Sequence, residues 1–268
     1  VSLVGGLWVG FGRGAPLLLG GSQRLDVAAQ ARAERANLEA VARRLRYHWL
    51  AEVALETGAQ AVATAHTAND QAETVLHRLL RGTGLTGLAG IASQRALVPG
   101  VELLRPMLRV SRAEVLAYLQ ARNQPFRQDT SNLDPRLTRN RIRHDLLPRL
   151  QRYNPAIVDV LARLAEQAAE VSRELAAASA ARIAEAERPR AGPWLVFQRA
   201  TLAAATRQQI RECFRLVWKR EGWPEGRMAF DDWDRLASVV LGELPAVDFP
   251  GGIRAQSRGQ VVQVGRFR

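Results

Sequence analysis

Apolar positions change their spacing several times along this chain, and each change marks an element. Leu38, Val41, Leu45, Trp49 and Val53 recur three and four residues apart, which predicts the apolar face of a helix over 38–57. Asn37 can cap its start and Gly58 can stop it. The run Ala61-Val-Ala-Thr-Ala65 is continuous, short and apolar, the pattern of a buried strand. His66-Thr-Ala-Asn-Asp70-Gln-Ala-Glu-Thr74 then turns as a polar loop and helix start, and Val75-Leu-His-Arg-Leu-Leu-Arg-Gly82 continues as helix. Helix, strand and helix in succession predict an α/β fold on a parallel sheet. In such sheets ligands sit at the carboxyl ends of strands, which makes the 66–74 loop a candidate site.

Further on, Gly82-Thr-Gly-Leu-Thr-Gly-Leu-Ala-Gly90 is a glycine-rich loop that suits either a phosphate cradle or a compact backbone turn. Ala96–Leu104 reads as a hairpin about Pro99-Gly100, and Ser111-Arg-Ala-Glu114 as a capping box opening a helix to about Arg122. Residues 127–148 are polar, then densely basic. Asn154-Pro155 starts a long Ala-rich helix to about Glu187, with proline at its first position. The stretch 187–193 reads as a break, followed by helices near 200–221 and 230–241. A hairpin of Val247–Arg254 with Gln260–Val264 closes the chain. The pattern divides an α/β part, 1–152, from a mostly helical part, 153–268.

Composition sharpens this picture. With 268 residues, 47% of them hydrophobic, the chain can bury a sizeable core and suits two domains better than one. The formal net charge is +12, and all but one of the 38 basic residues are arginine, the exception being Lys219. Arginine forks match phosphate oxygens, so this balance favours a polyanionic partner, most simply nucleic acid. A single cysteine, Cys213, excludes an intramolecular disulfide, a CxxC redox pair and a four-thiolate metal site. Its place on the apolar side of a helix predicts a buried structural thiol. The four histidines stand apart, with no pair at metal-ligand spacing. Residues 1–21 are apolar, but glycines and Arg13 interrupt them, so neither a signal peptide nor a membrane span is read there. The expectation is a cytoplasmic protein with no membrane role.

Three clusters carry candidate chemistry. His66 and Asp70 lie at a helix start, where an imidazole can donate to a phosphate oxygen and a carboxylate can hold an amine. Taken alone, the same residues suit an ordinary helix cap by Asn69 or Asp70. Arg43-Arg-Leu-Arg46-Tyr47 forms a basic helix segment, and Asn132 with Arg139-Asn-Arg141-Ile-Arg143 a second one. Either can be a solvated face or a seat for polyphosphate or RNA backbone.

In order, Ala42-Arg-Arg-Leu-Arg-Tyr47, His66-x-x-x-Asp-Gln-Ala-Glu-Thr74 with Leu79-Leu-Arg-Gly-x-Gly84, Leu104-Arg-Pro106, Asp129-x-Ser-Asn132 and Arg139-Asn-Arg-Ile-Arg143 resemble the tRNA(Ile)-lysidine synthetase family of PP-loop (N-type) ATP pyrophosphatases. The match covers roughly 25–155 in register, and more loosely the tail through Pro250-Gly-Gly252. The resemblance implies a parallel-sheet nucleotide-binding domain followed by a helical tRNA-binding domain with a C-terminal hairpin. It implies a reaction in which ATP adenylates O2 of the wobble cytidine of a minor isoleucine tRNA. The ε-amine of free lysine then displaces AMP at C2 to give lysidine. ATP and Mg²⁺ are the implied cofactors, and tRNA, free lysine and a second copy of the chain the implied partners. Asp70, His66, Arg46 and Arg141 are the implied catalytic residues, with Asp70 on the lysine amine. His66, Arg43, Arg139 and Asn132 are the implied nucleotide-binding residues.

The chain departs from the family in one place. The signature loop Ser-Gly-Gly-x-Asp-Ser is not in it: Val4-Gly-Gly6 and Leu19-Gly-Gly-Ser22 lack the Asp-Ser that should follow. This predicts an N-terminally incomplete PP-loop domain, with family register beginning near Leu25. The alternative function is then a catalytically impaired homologue acting only as an RNA-binding protein. A related cytidine thiolase is disfavoured by the lone cysteine.

Overall fold

The computed structural model describes residues 26–126 and 137–267. Asn132, Asp129, Ser131 and the glycine-rich segment 1–24 lie outside them. The chain divides into two compact units, Val1–Ala169 and Glu170–Arg268. That division falls inside one long helix.

The first unit begins with α1 (Val27–Ala33) and α2 (Leu38–Glu56). Asn37 caps α2 by accepting from the Glu39 and Ala40 amides, and Gly58 leaves it at φ 69°, where a side chain would be strained. β1 (Ala61–Ala63), α3 (Ala68–Leu80), α4 (Leu85–Leu88), β2 (Gln94–Val98) and β3 (Val101–Leu104) follow. The sheet has the order β1-β3-β2, with β1 parallel to β3 and β2 antiparallel to it. It is therefore mixed, whereas a parallel sheet was expected. The reason is local: the turn at Pro99-Gly100 (Gly100 φ 81°) folds β2 straight back onto β3, while α3 and α4 supply part of the long crossover a parallel pair needs.

After the sheet come α5 (Arg112–Ala121), α6 (Thr138–Arg141), a π-helical turn at Ile142–Leu146, α7 (Leu147–Tyr153) and α8 (Ile157–Ala186). Among the described residues the unit has three small cores. Val27 and Ala31 of α1 bury Val41; Leu50 and Ala54 of α2 pack on Val62 and Leu103 of the sheet; Ala72, Val75 and Leu76 of α3 pack on Ile142, Leu147 and Val158. The single apolar face expected on α2 is thus shared between two clusters. Leu38, in its first turn, is left exposed.

The second unit carries, beside its helices, more strand than the closing hairpin alone. β4 (Glu187–Ala191) and β5 (Trp194–Gln198) form a hairpin where a break was expected. Then come α9 (Arg199–Ala203), α10 (Arg207–Arg220), α11 (Phe230–Leu241), β6 (Ala246–Phe249), β7 (Ile253–Arg258) and β8 (Val261–Arg266). The strands make one antiparallel sheet, β4-β5-β8-β7-β6. The final hairpin is there, but Pro250-Gly-Gly252 splits its first arm into β6 and β7. The core is aromatic: Trp218 packs edge-on against Trp223, Trp233 and Phe249. Cys213 is buried with them, and burial pushes its thiol up to about 11, so it is inert at neutral pH.

Candidate active site at the carboxyl end of the parallel strand pair

Because β1 and β3 run parallel, their carboxyl ends lie side by side; the Thr64 amide donates to the Leu104 carbonyl at 2.9 Å. The chain leaves β1 into His66 and Thr67 and leaves β3 into Arg105. Thr67 then caps α3. Its amide and its Oγ1 donate to Asp70 Oδ2 at 2.8 and 2.9 Å, and the Asp70 amide returns to Thr67 Oγ1. Asn69 does something else: its Oδ1 accepts from the Arg112 amide at 2.8 Å, fixing the start of α5.

Asp70 is more than a cap. Its other oxygen, Oδ1, accepts from Arg139 Nη2 at 3.0 Å and Arg143 Nη2 at 3.2 Å. The same two guanidiniums hold Glu73, one turn along α3: Arg139 Nε lies 3.0 Å from Oε2 and Arg143 Nε 2.5 Å from Oε1. Spacing explains the match. Asp70 and Glu73 are three apart and Arg139 and Arg143 four apart, so each pair lines one helical face. Glu73 is 1% exposed. A carboxylate that deep is tolerated because it is paired and hydrogen-bonded at both oxygens.

The electrostatics follow from this packing. Burial acts to raise the Asp70 carboxyl, but the Thr67 hydrogen bonds and the Arg139 and Arg143 charges outweigh it and hold the group below the usual carboxylate range. His66 goes down to about 4: burial drives the shift, the Asp70 carboxylate opposes it, and Arg105, Arg43 and Arg139 add to it. Its Nδ1 sits 3.0 Å from Thr64 Oγ1. At neutral pH the site therefore holds an ionised carboxylate beside an uncharged imidazole.

The residues singled out from sequence fall into three places. His66, Asp70 and Arg139 come together here. Arg43 lies 5.1 Å from the ring centroid of Tyr47 and contributes to the field at His66. Arg46 is exposed on α2 and makes no hydrogen bond or ion pair among the described residues, and Arg141 is exposed and donates to Thr138 Oγ1 at 3.3 Å. Glu73 and Arg143 stood in the sequence motifs without a role, and they complete the cluster. The signal was their spacing, three from Asp70 and four from Arg139.

The glycine-rich loop is fastened to α3 by two side chains. Arg78 Nη1 takes the carbonyls of Gly87 and Gly90 at 2.8 Å each, and Gln71 Oε1 takes the Ile91 amide at 2.6 Å. These contacts hold the loop against α3. Among the described residues no group of three His, Cys, Asp or Glu could hold a metal ion, and no helix is long and apolar enough to cross a membrane. In the second unit, Arg190, Arg207, Arg211 and Arg220 are ion-paired to Glu221, Asp234, Glu243 and Glu187, so much of its positive charge is used internally.

A PP-loop domain model matches residues 21–150. The chain is 39% identical over 225 residues to a tRNA(Ile)-lysidine synthase of Geobacter sulfurreducens, covering 82% of this chain and 46% of that protein. It is 50% identical over 145 residues to one from Symbiobacterium thermophilum (54% and 30% covered) and 38% identical over 241 residues to one from Thermus thermophilus (89% and 44% covered). The chain thus spans less than half the length of these curated relatives. Over residues 21–150 it carries a PP-loop domain, and through much of its length it is similar to proteins named tRNA(Ile)-lysidine synthase.

Proposed function

We propose that this chain serves ATP-dependent ligation of lysine to C2 of the wobble cytidine of a minor isoleucine tRNA. The observation that carries the reading is the Asp70–Glu73–Arg139–Arg143 cluster beside an uncharged His66 at the carboxyl ends of β1 and β3. Such an edge is where open α/β sheets take ligands.

The residues present fit a nucleotide. Arg43, Arg105 and Arg139 set a positive field at His66, and a neutral imidazole there can donate to a phosphate oxygen without adding charge. ATP supplies an adenylate on the cytidine O2 and pyrophosphate as leaving group. For Mg²⁺ the fit fails among the described residues: Asp70 and Glu73 are already matched to two guanidiniums, so no step is derived through a metal.

Asp70 suits the lysine ammonium. A carboxylate held ionised is a good seat for a cation and a poor acceptor for its proton, so its role is to position the amine. In the structure that seat is taken: among the described residues the Asp70 carboxylate accepts four hydrogen bonds, from Thr67, Arg139 and Arg143. A guanidinium must therefore turn away before an ammonium can enter. A phosphate arriving at Arg139 is the natural competitor, which puts nucleotide before lysine.

tRNA-dependent exchange of pyrophosphate into ATP is the test. Exchange that needs the minor isoleucine tRNA supports the ligase reading. RNA binding with no exchange at saturating ATP would leave only the RNA-binding alternative.

A further inference from the structure

A second cluster stands beside the first, with the opposite balance of charge. Tyr47, on α2, is half-buried, and its hydroxyl accepts from Arg105 Nη2 at 3.2 Å. The guanidinium carbons of Arg43 and Arg95 stand 5.1 and 4.9 Å from its ring centroid. These three arginines come from α2, β2 and the end of β3, so the fold has gathered them from separate places. Arg105 is 3% exposed; its Nη1 donates to the Ala92 carbonyl at 2.6 Å, and its Nε is buried without a partner among the described residues. No carboxylate among the described residues pairs with Arg43, Arg95 or Arg105.

A buried guanidinium without a counter-ion is costly, and three cations around one phenol repel each other. The Asp70 cluster balances two acids against two bases; this one has no acid among the described residues. The Tyr47 hydroxyl, with Arg105 on one lone pair, keeps its own hydrogen free to donate. Arg105 and His66 also share the carboxyl edge of β1 and β3.

We propose that Tyr47, Arg43 and Arg95 form a phosphate subsite. The Tyr47 hydroxyl donates to a phosphate oxygen, Arg43 and Arg95 supply the counter-charge, and the buried Arg105 is a positioning residue behind the phenol. The proposal rests on the reading above, in which the ligands are ATP and tRNA, and both carry phosphate. Two titrating groups report the same field. Burial acts to raise the Tyr47 phenol, but the Arg105 hydrogen bond and the charges of Arg43, Arg105 and Arg95 bring it below its ordinary value, and two of these, Arg105 and Arg43, help keep His66 uncharged.

The test is calorimetric binding of inorganic pyrophosphate to the whole chain, with tRNA binding measured separately at fixed salt. Arg95→Gln removes an exposed charge and should melt as the parent does, whereas Tyr47→Phe takes a hydrogen-bond partner from the buried Arg105 and should fold but melt lower. Loss of a hydrogen bond to a charged group predicts about tenfold weaker pyrophosphate binding in Tyr47→Phe. A loss confined to tRNA would support the same subsite with an RNA phosphate in it. Unchanged affinity for both ligands in both variants overturns the subsite. The ligation reading would still stand in that case if Asp70→Asn loses lysine transfer, so the two failures are separable. For Arg105, the readout is ultraviolet titration of the Tyr47 phenol, with Tyr47→Phe as the blank. Arg105→Met should move that phenol upward and Arg105→Lys largely restore it. A phenol that does not move in Arg105→Met, or in Arg105→Lys should the methionine variant not fold, overturns the positioning role.

Discussion

At the scale of single residues, burial and pairing decide which groups can act. His66 is expected to titrate near 4, so its ring resonances should stay flat from pH 8 to pH 5.5, and a transition near 6.5 would contradict the burial described. The linkage has a definite sign. An unfolded His66 takes up its proton near 6.5 and the folded one only near 4, so stability falls as pH drops through that window. His66→Gln should flatten that part of a urea-midpoint profile. Asp70 has a depressed carboxyl, and its contribution is lost only at lower pH, as the folded group protonates. Glu73 is the more structural acid. Glu73→Ala leaves two partly buried guanidiniums with one carboxylate between them and should cost about 3–5 kcal/mol of unfolding free energy. A loss below about 1 kcal/mol would place Glu73 among ordinary surface ion pairs.

Among the elements, α3 is the organiser. Its first turn presents Asp70 and Glu73, its inner face packs Ala72, Val75 and Leu76, and its Gln71 and Arg78 hold the loop before β2. Gln71→Ala should release that loop, read as faster amide exchange at Ile91 while α2 amides stay protected. Much of this was legible in the sequence. The caps of α2 and α5, the strand before His66 and the hairpin at Pro99-Gly100 follow from local chemistry, and the structure has them. The pairing of Arg139 and Arg143 with α3 is not local, since nearly seventy residues separate the partners. A basic run reads as solvated until a facing acid pair is known. The β4–β5 hairpin was hidden because Arg188-Pro-Arg190 reads as a breaker, and only cross-strand pairing with Trp194–Gln198 makes a strand of it. Arg105 stood in the Leu104-Arg-Pro106 motif without a role, because an arginine after a strand carries no sign that it will be buried.

For the molecule as a whole, the net charge of +12 understates how unevenly the charge is spent. In the second unit several arginines are neutralised by acids, and in the first unit the Asp70 cluster is balanced. The Tyr47 cluster is left cationic. Binding to tRNA should therefore weaken with rising salt, as phosphate contacts require. The slope should change more for Arg43→Gln or Arg95→Gln than for Arg190→Gln, whose partner is Glu221. The central claim is that Asp70 seats the amine while His66 and the arginines face the nucleotide. Its most direct test is labelled-lysine incorporation into minor isoleucine tRNA by the chain and by Asp70→Asn, with tRNA affinity measured alongside. The account predicts that incorporation is abolished in the variant while tRNA binding stays within about twofold of the parent, the loss expected of a group that seats the amine and does not touch the RNA. Equal incorporation by the two proteins would contradict it.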